Sequence, residues 1–436
     1  MNDCISYLIS FLLSTENANL TPVVSYGQSE TAHVVIQPSA FFEDKVYLTE
    51  KSLPKLPLQE LDGVPVLFGD AKVWEENGQI HIGADLIASA YFLLTRYEEC
   101  ARRDVRDQHG RFIGKESLPY RAGFLNRPIV EEYGQLLRKY LRQAGVKVKE
   151  PSRGFSHVYL THDVDEIWTW DNYYRALRTV VKRVLKNQPD KLLPLKACYD
   201  YIKYDPVYTF PWLVEQDNAV RAVYGAARCT PVYFFMGCDT QQYTDVEYLS
   251  AKKYTRAKHL AEYLASEKCV LGYHASYASS LDTKLVSAEI QRLTKLFDKD
   301  VTWNRNHFLD SREPEDFRAL IEAGITDDFT MGYADVAGFR LGTCRAVRWI
   351  DPIKRELTSL VLHPMTVMEC TLDGSSYMGI RDEEEAFAYA VDLLNKIWNC
   401  AGEVVLLWHS PSVYPDKNSY QRSLYQRLVK KLCKLH

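Results

Sequence analysis

The sequence predicts an α/β fold with parallel strands in its larger, C-terminal part, preceded by a smaller α+β unit. Three observations predict it. Over about 280 residues after position 155, short apolar runs of strand length alternate with helical patterns, as in a parallel sheet open or closed into a barrel. Polar residues with chemical capability fall directly after those runs, at the strand edge where α/β folds build their sites. Finally, 436 residues exceed one ordinary core, so two domains are expected, 1–150 and 151–436.

In the first unit, the apolar run 5–13 is too short to span a bilayer. No Lys or Arg precedes it, which makes it a poor signal peptide, and it reads as a helix packed inside the unit. Residues 34–36, 46–48 and 66–68 are short strand candidates between Pro-bearing turns. Residues 74–82 read as a hairpin about Asn77-Gly78, a pair that tolerates positive φ. Asp85 can cap a helix over 86–100, and Asn126 another from 128 to about 143. No chemistry is expected here, since the Asp and Glu residues sit on solvated helix faces. The polar stretch 147–156, with Pro151 and Gly154, reads as a linker.

The second unit opens with strand 158–160, running into Thr161-His162-Asp163-Val164-Asp165. A basic amphipathic helix over 171–187 follows; its Arg175, Arg178, Lys182, Arg183 and Lys186 either face solvent or touch an anionic partner. Strand 231–236, helix 251–266 and strand 270–273 come next, the last ending at His274. Helix 285–297 leads to strand 301–303 and then Asn304-Arg305-Asn306-His307. A helix from Pro314 stops at Gly324, and Ile325 leads into Asp327-Asp328. Strand 360–362 precedes His363, and Val367-Met368 precedes Glu369. The acidic turn 382–385 opens a helix to Ile397, as the helix dipole favours. Strand 403–408 ends at His409, and a helix over about 419–433 closes the chain.

Composition narrows the function classes. An apolar share of 46% and a charged share of 25% are those of a soluble globular protein. A formal net charge of −4 gives no broad positive field for nucleic acid. No run is long and apolar enough for a membrane span, so the cytoplasm is the expected compartment. The ten cysteines lack metal-finger spacing and read as reduced thiols.

Two carboxylates and an imidazole at one strand end are costly to bury unpaired. If the strands are parallel, Asp163 and Asp165, His274, Arg305 and His307, Asp327 and Asp328, and His409 all meet at one edge. Asp and His together suit a divalent ion such as zinc, cobalt or nickel. An open coordination position lowers the pKa of water there. A free carboxylate can then act as base, a His as acid to the leaving group, and an Arg as the base's partner. The constellation fits metal-dependent hydrolysis of an amide or ester.

The order of these motifs resembles the polysaccharide deacetylase (NodB-homology, carbohydrate esterase 4) family. Thr161-His162-Asp163 is similar to its opening Thr-Phe-Asp-Asp, and Gly272-Tyr273-His274 with Ser276 to its His-Ser/Thr-x-x-His. Arg305-Asn306-His307-Phe308 stands where Arg-Pro-Pro would be, Asp327-Asp328 near the fourth motif, and residues 404–409 at the fifth. The resemblance covers about 155–415 and implies a distorted (β/α) barrel that uses a divalent metal, zinc first, to remove acetyl from N-acetylated sugars. It implies Asp163 as base, Arg305 as its partner and His409 as acid. Asp165 and His274 would be metal ligands. The family's second His falls at Ala278, so His307 is the candidate third ligand, with His162 in reserve. The N-terminal unit resembles accessory domains that precede such barrels in bacterial homologues.

The expected partner is a carbohydrate. Tyr333 and Trp408, with Trp349, could stack a sugar or be buried in packing; Arg340, with Arg345 and Arg348, could bind an anionic sugar or form a salt-bridged face. Two other functions fit parts of the pattern. One is a non-catalytic saccharide-binding barrel that has lost its metal. The other is a glycoside hydrolase pairing Asp163 or Asp165 with Asp327 or Glu369, acids that would have to lie about 5–10 Å apart.

Overall fold

A computed structural model describes residues 1–239, 243–250, 253–415 and 419–436. The larger part is mixed α/β around a nine-stranded sheet. Its strands are β1 (His157–Val164), β2 (Cys229–Met236), β3 (Val270–Ala275), β4 (Trp303–Asn306), β5 (Asp327–Asp328), β6 (Val347–Asp351), β7 (Glu356–Leu362), β8 (Val367–Met368) and β9 (Glu403–Leu407). They lie in the order β6-β7-β5-β4-β3-β2-β1-β9-β8. Neighbours are parallel except β6 and β7, which form an antiparallel hairpin. That pair departs from the all-parallel expectation for a local reason. The Asp351 carboxylate accepts from the Ile353 and Lys354 amides at 2.9 and 3.0 Å and folds the chain back.

The pleat explains which residues enter the sheet's interior. Along β1, Val158 and Leu160 face an outer layer of helices, Phe210–Tyr224, Glu383–Asn399 and Gln421–Lys434. Tyr159 faces the other way, into a cluster with Phe234, Phe329, Val405 and Leu407. Strands so far apart in sheet order share that cluster because the sheet curls into a half-barrel. The gap between its edges is bridged by residues 363–366. The His363 amide donates to the Asp328 carbonyl (2.8 Å), Met365 to Met331 (3.0 Å) and Thr366 to Val405 (2.9 Å).

The first 150 residues build a four-stranded sheet, in the order Val24–Tyr26, Val34–Ile36, Gln79–Ala84, Gly69–Glu76. Helices Asn2–Leu13, Leu86–Leu94 and Ile129–Gln143 accompany it. The expected hairpin turns on Asn77 (φ 51°) and Gly78 (φ 76°), and Asp85 caps its helix by accepting from the Ala88 amide at 2.8 Å. Four expectations differ. The strand expected over 66–68 is Val64–Val66, set by its antiparallel pairing with Gln59–Leu61. Residues 46–48 form a turn, because the Tyr47 hydroxyl is drawn to Tyr91 and the Pro352 carbonyl. The helix expected over 86–100 breaks at Arg96 (φ 59°), whose guanidinium reaches Ser311 at 2.7 Å. Helix Ile129–Gln143 starts after Pro128 with no side-chain cap from Asn126.

This region packs on the curled sheet through one apolar cluster that includes Leu8, Tyr91, Trp349 and Leu360. A buried Arg340–Glu99 pair (2.8 Å) and a partly buried Arg345–Glu131 pair (2.7 Å) cross the same boundary. Among the described residues, no helix is long and apolar enough to cross a membrane. Of the helix expected over 251–266, Tyr254–Ser266 is observed, and 251–252 lie outside the described residues.

Candidate active site

The alternation that faces Tyr159 inward also faces Asp163 and Asp165 inward and His162 outward. His162 is therefore spent on structure: its Nδ1 donates to the Trp408 carbonyl (2.7 Å), and its Nε2 lies 3.1 Å from Asp217 on helix Phe210–Tyr224. The pleat thus removes the reserve ligand. It also lets an Asp-x-Asp spacing place two carboxylates on one side.

His274 arrives at the end of β3 and His307 just beyond β4. Asp165 Oδ1 lies 3.2 Å from His274 Nε2 and 3.8 Å from His307 Nε2. The three side chains can offer one donor atom each within 4.8 Å of one another. Both rings are oriented from behind. His274 Nδ1–H donates to the Arg305 carbonyl at 2.9 Å, and His307 Nδ1–H to the Asp245 carboxylate at 2.9 Å. With Nδ1 protonated, each neutral ring turns an Nε2 lone pair toward Asp165, the arrangement second-sphere acceptors give to metal-binding histidines.

A tetrahedral ion with bonds of about 2.0–2.1 Å needs donors about 3.3 Å apart, close to these separations. Two of the three atoms, Asp165 Oδ1 and His274 Nε2, are buried with no hydrogen-bond partner among the described residues. Such orphans cost about 1–3 kcal/mol each, and a cation would satisfy both. The donor set and its orphans fit a divalent ion. The field fits as well. Burial alone would raise the Asp165 carboxyl, but His274, with His307 and His409, outweighs it and holds the group well below the usual carboxylate range. Burial pushes His274 down, while Asp163 and Asp165 outweigh that and lift it above its ordinary range.

Acid and base candidates flank the set. Asp163 is 3% exposed; its Oδ1 accepts from Arg305 Nη1 at 3.2 Å, and its Oδ2 lies 3.7 Å from His274 Nε2 and 3.8 Å from His409 Nε2. Arg305 is fully buried, braced by Thr161 Oγ1 (2.7 Å), the Phe329 carbonyl (3.2 Å) and the Phe234 ring. His409 follows β9. Its Nδ1–H donates to Glu369 at 2.7 Å, and its Nε2 lies 3.7 Å from Asp165. Burial disfavours the charged ring, but Glu369 and Cys370 outweigh it and lift His409 well above its ordinary range.

Asp163, Asp165, His307 and His409 open on one pocket, walled by Arg111, Phe308, Leu309, Met368, Cys370, Tyr377, Leu407, Pro411 and Ser412, with His274 and Arg305 buried behind them. The structure therefore gathers Asp163, Asp165, His274, Arg305, His307 and His409. It does not gather the expected substrate-binding residues, which are corrected here. Tyr333 is buried beneath the Arg340 guanidinium, and Arg340 is held by Glu99. Trp408 is fully buried against Tyr425 and donates to the Gln421 carbonyl. An even residue of an alternating strand points to the helix layer, and that is where Trp408 goes. Asp327 and Asp328 are also elsewhere: Asp327 pairs with His363 at 3.0 Å, and Asp328 accepts from Asn304 and Thr330.

Three contributors were not anticipated in these roles. Asp245 also accepts from the Tyr277 and Ala278 amides at 2.7 and 3.0 Å. Glu369 holds His409. Arg111 comes from the N-terminal region, where no chemistry was expected, and its Nη1 donates to the Phe308 carbonyl at 2.8 Å. Asp245 and Arg111 come from loops without periodicity, so only the acidic residue after strand β8 carried any sequence signal.

Residues 4–145 match a family of unknown function (DUF7033). No curated protein sequence matches the chain. Among solved structures, one similar in part is a protein from Mycobacterium smegmatis provisionally named a polysaccharide deacetylase. It has 12% identity and a TM-score of 0.39, over 66% of this chain and 89% of that one. Another is a mutant of a CE4-family pseudoenzyme with restored enzymatic activity, at 12% identity and a TM-score of 0.27, over 66% of each chain.

Proposed function

We propose that the protein is a metal-dependent hydrolase that removes acetyl groups, in amide or ester linkage, from a sugar or polysaccharide precursor. One observation carries the proposal: Asp165, His274 and His307 converge on one point, two of their donor atoms (Asp165 Oδ1 and His274 Nε2) having no partner among the described residues, while a base candidate and an acid candidate flank them. The acetylated-sugar substrate is suggested by the motif order, and the apolar wall of Leu309, Met368 and Leu407 suits a methyl group.

Asp165, His274 and His307 would hold the ion. When bound, a divalent cation, zinc first and cobalt or nickel next, supplies charge that polarises a carbonyl and acidifies water. Arg305 occupies Asp163 Oδ1 and leaves Oδ2 to take a proton from the attacking water. Glu369 accepts the Nδ1–H and, with Cys370, lifts the ring well above its ordinary range, so the doubly protonated ring turns an Nε2–H to the pocket that can be given to the departing amine or alkoxide. Positioned acids and bases of this kind each contribute about 10²–10⁴-fold. The glycoside hydrolase alternative has less support, since Asp327 is paired outside the pocket and Glu369 is committed to His409.

The test is Asp163→Asn with elemental analysis. Turnover of an acetylated sugar should fall by about 10³-fold or more, with metal per chain unchanged. Retained turnover would remove Asp163 as base. A wild-type protein purified without chelators that holds no metal, and gains no activity from added zinc or cobalt, would instead be a non-catalytic saccharide-binding barrel.

A further inference from the structure

Between β1 and β2 the chain makes an excursion that the site does not use. Helix Tyr173–Leu185 is anchored to the protein by Ala176 and Val180, its only buried residues. At 3.6 residues per turn, Tyr174, Leu177, Val181, Val184 and Leu185 fall on one adjoining side. In a water-soluble protein that stripe should be buried, yet it is open. Tyr174 and Leu185 are each 80% exposed, and Leu177, Val181 and Val184 between 50% and 54%. The open surface continues beyond the helix through Leu192 and Tyr199.

The remaining side carries Arg175, Arg178, Lys182 and Lys186. Residues 171–204 hold eight Lys or Arg and three Asp, in a chain whose formal charge is −4. Of those four cations only Arg175 has a carboxylate partner among the described residues, Asp171 at 3.1 Å. Unscreened positive charge beside an open apolar stripe is the signature of a helix that lies in a lipid interface. The apolar side enters the headgroup boundary while Lys and Arg meet anionic headgroups. A protein partner would also cover the stripe, but the adjoining row of unpaired cations selects an extended anionic surface.

We propose that helix Tyr173–Leu185 docks the protein on an anionic lipid bilayer. The excursion leaves the sheet from the end of β1 that carries Asp163 and Asp165, so docking would hold that end of the sheet near the membrane. The proposal stands apart from the hydrolase reading, because it uses no residue of the site.

The test is co-sedimentation of the full chain with vesicles of phosphatidylcholine containing about one third phosphatidylglycerol, against pure phosphatidylcholine. Binding should need the anionic lipid and weaken as salt rises from about 0.1 to 1 M. Lys182→Ala should weaken partitioning by about fivefold, and Arg178→Ala with Lys182→Ala by about 25-fold. Leu177→Ser with Val181→Ser should also lower it, at unchanged Tm. Absence of binding to anionic vesicles, or equal binding by these variants, would overturn the proposal. So would a solution dimer that the Leu177→Ser, Val181→Ser variant abolishes, since a second copy would then be the occupant.

Discussion

Among the buried histidines beside carboxylates in this half-barrel, those in the interior and those at the pocket differ in what the second ring nitrogen does. In the interior below the pocket, His363 is bonded on both sides, Nε2 to Asp327 (3.0 Å) and Nδ1 to Glu403 (2.9 Å). At the pocket, His274 and His307 spend Nδ1 on protein acceptors and leave Nε2 facing Asp165, with one imidazole nitrogen orphaned. A ring satisfied twice is a structural tie; a ring satisfied once and aimed at a carboxylate carries a cost that packing does not explain. Residue type is the same in both regions. The unfilled valence separates them.

pH offers the largest way to break this comparison. Burial pushes His363 down, but Glu403 and Asp327 outweigh it and lift its pKa to about 9. A folded pKa above the unfolded value, near 6.5, contributes stability that is complete below about 6.5 and is lost as pH rises through about 9. The shift corresponds to about 3 kcal/mol, and the lowered Asp327 carboxyl reflects the same contact, counted once. Urea unfolding at pH 6 and pH 10 should show wild type losing about that much more than His363→Gln, with metal content unaffected. Parallel curves for the two proteins would remove His363 as a tie.

A smaller effect sharpens the other side. Asp245→Asn keeps the size of the residue behind His307 but weakens its hold on the ring, which should lower zinc affinity by about 10–100-fold. A chelator competition titration reads this directly. Unchanged affinity would leave Asp245 as a brace for the Tyr277 and Ala278 amides alone.

The same distinction explains what could be read from the sequence. Asp163, Asp165, His274, Arg305, His307 and His409 were legible because each ends a short apolar run, and parallel strands bring such ends together. Period two along β1 also assigns Asp163 and Asp165 to one side and His162 to the other, once the strand is known to continue to Val164. The β6–β7 hairpin was hidden because its turn rests on one Asp351 side chain. Tyr333, Arg340 and Trp408 were misread because an aromatic or an Arg has the same appearance in sequence whether it stacks on a sugar or on another side chain. Asp245 and Arg111 gave no signal, as their positions follow from loop paths that no local pattern encodes.

Arg111 tests whether the N-terminal region belongs to the site or only packs on the half-barrel. Its guanidinium is already neutralised by Asp107 at 2.8 Å, and it reaches the pocket by bonding the Phe308 carbonyl rather than any reacting group. It can therefore shape the pocket by fixing Phe308 without taking part in proton transfer. A hydrogen bond from a charged donor is worth about 1.5 kcal/mol at the low end, or about tenfold. On the proposed function, Arg111→Ala should accordingly raise KM for an acetylated sugar by about tenfold while kcat stays near wild type, the mark of binding lost equally from ground and transition states. Arg111→Lys should recover little, because a point charge does not reproduce the planar fork that spans Asp107 and Phe308. If both constants hold at wild-type values while the Tm falls, the first 150 residues support the barrel without entering its chemistry.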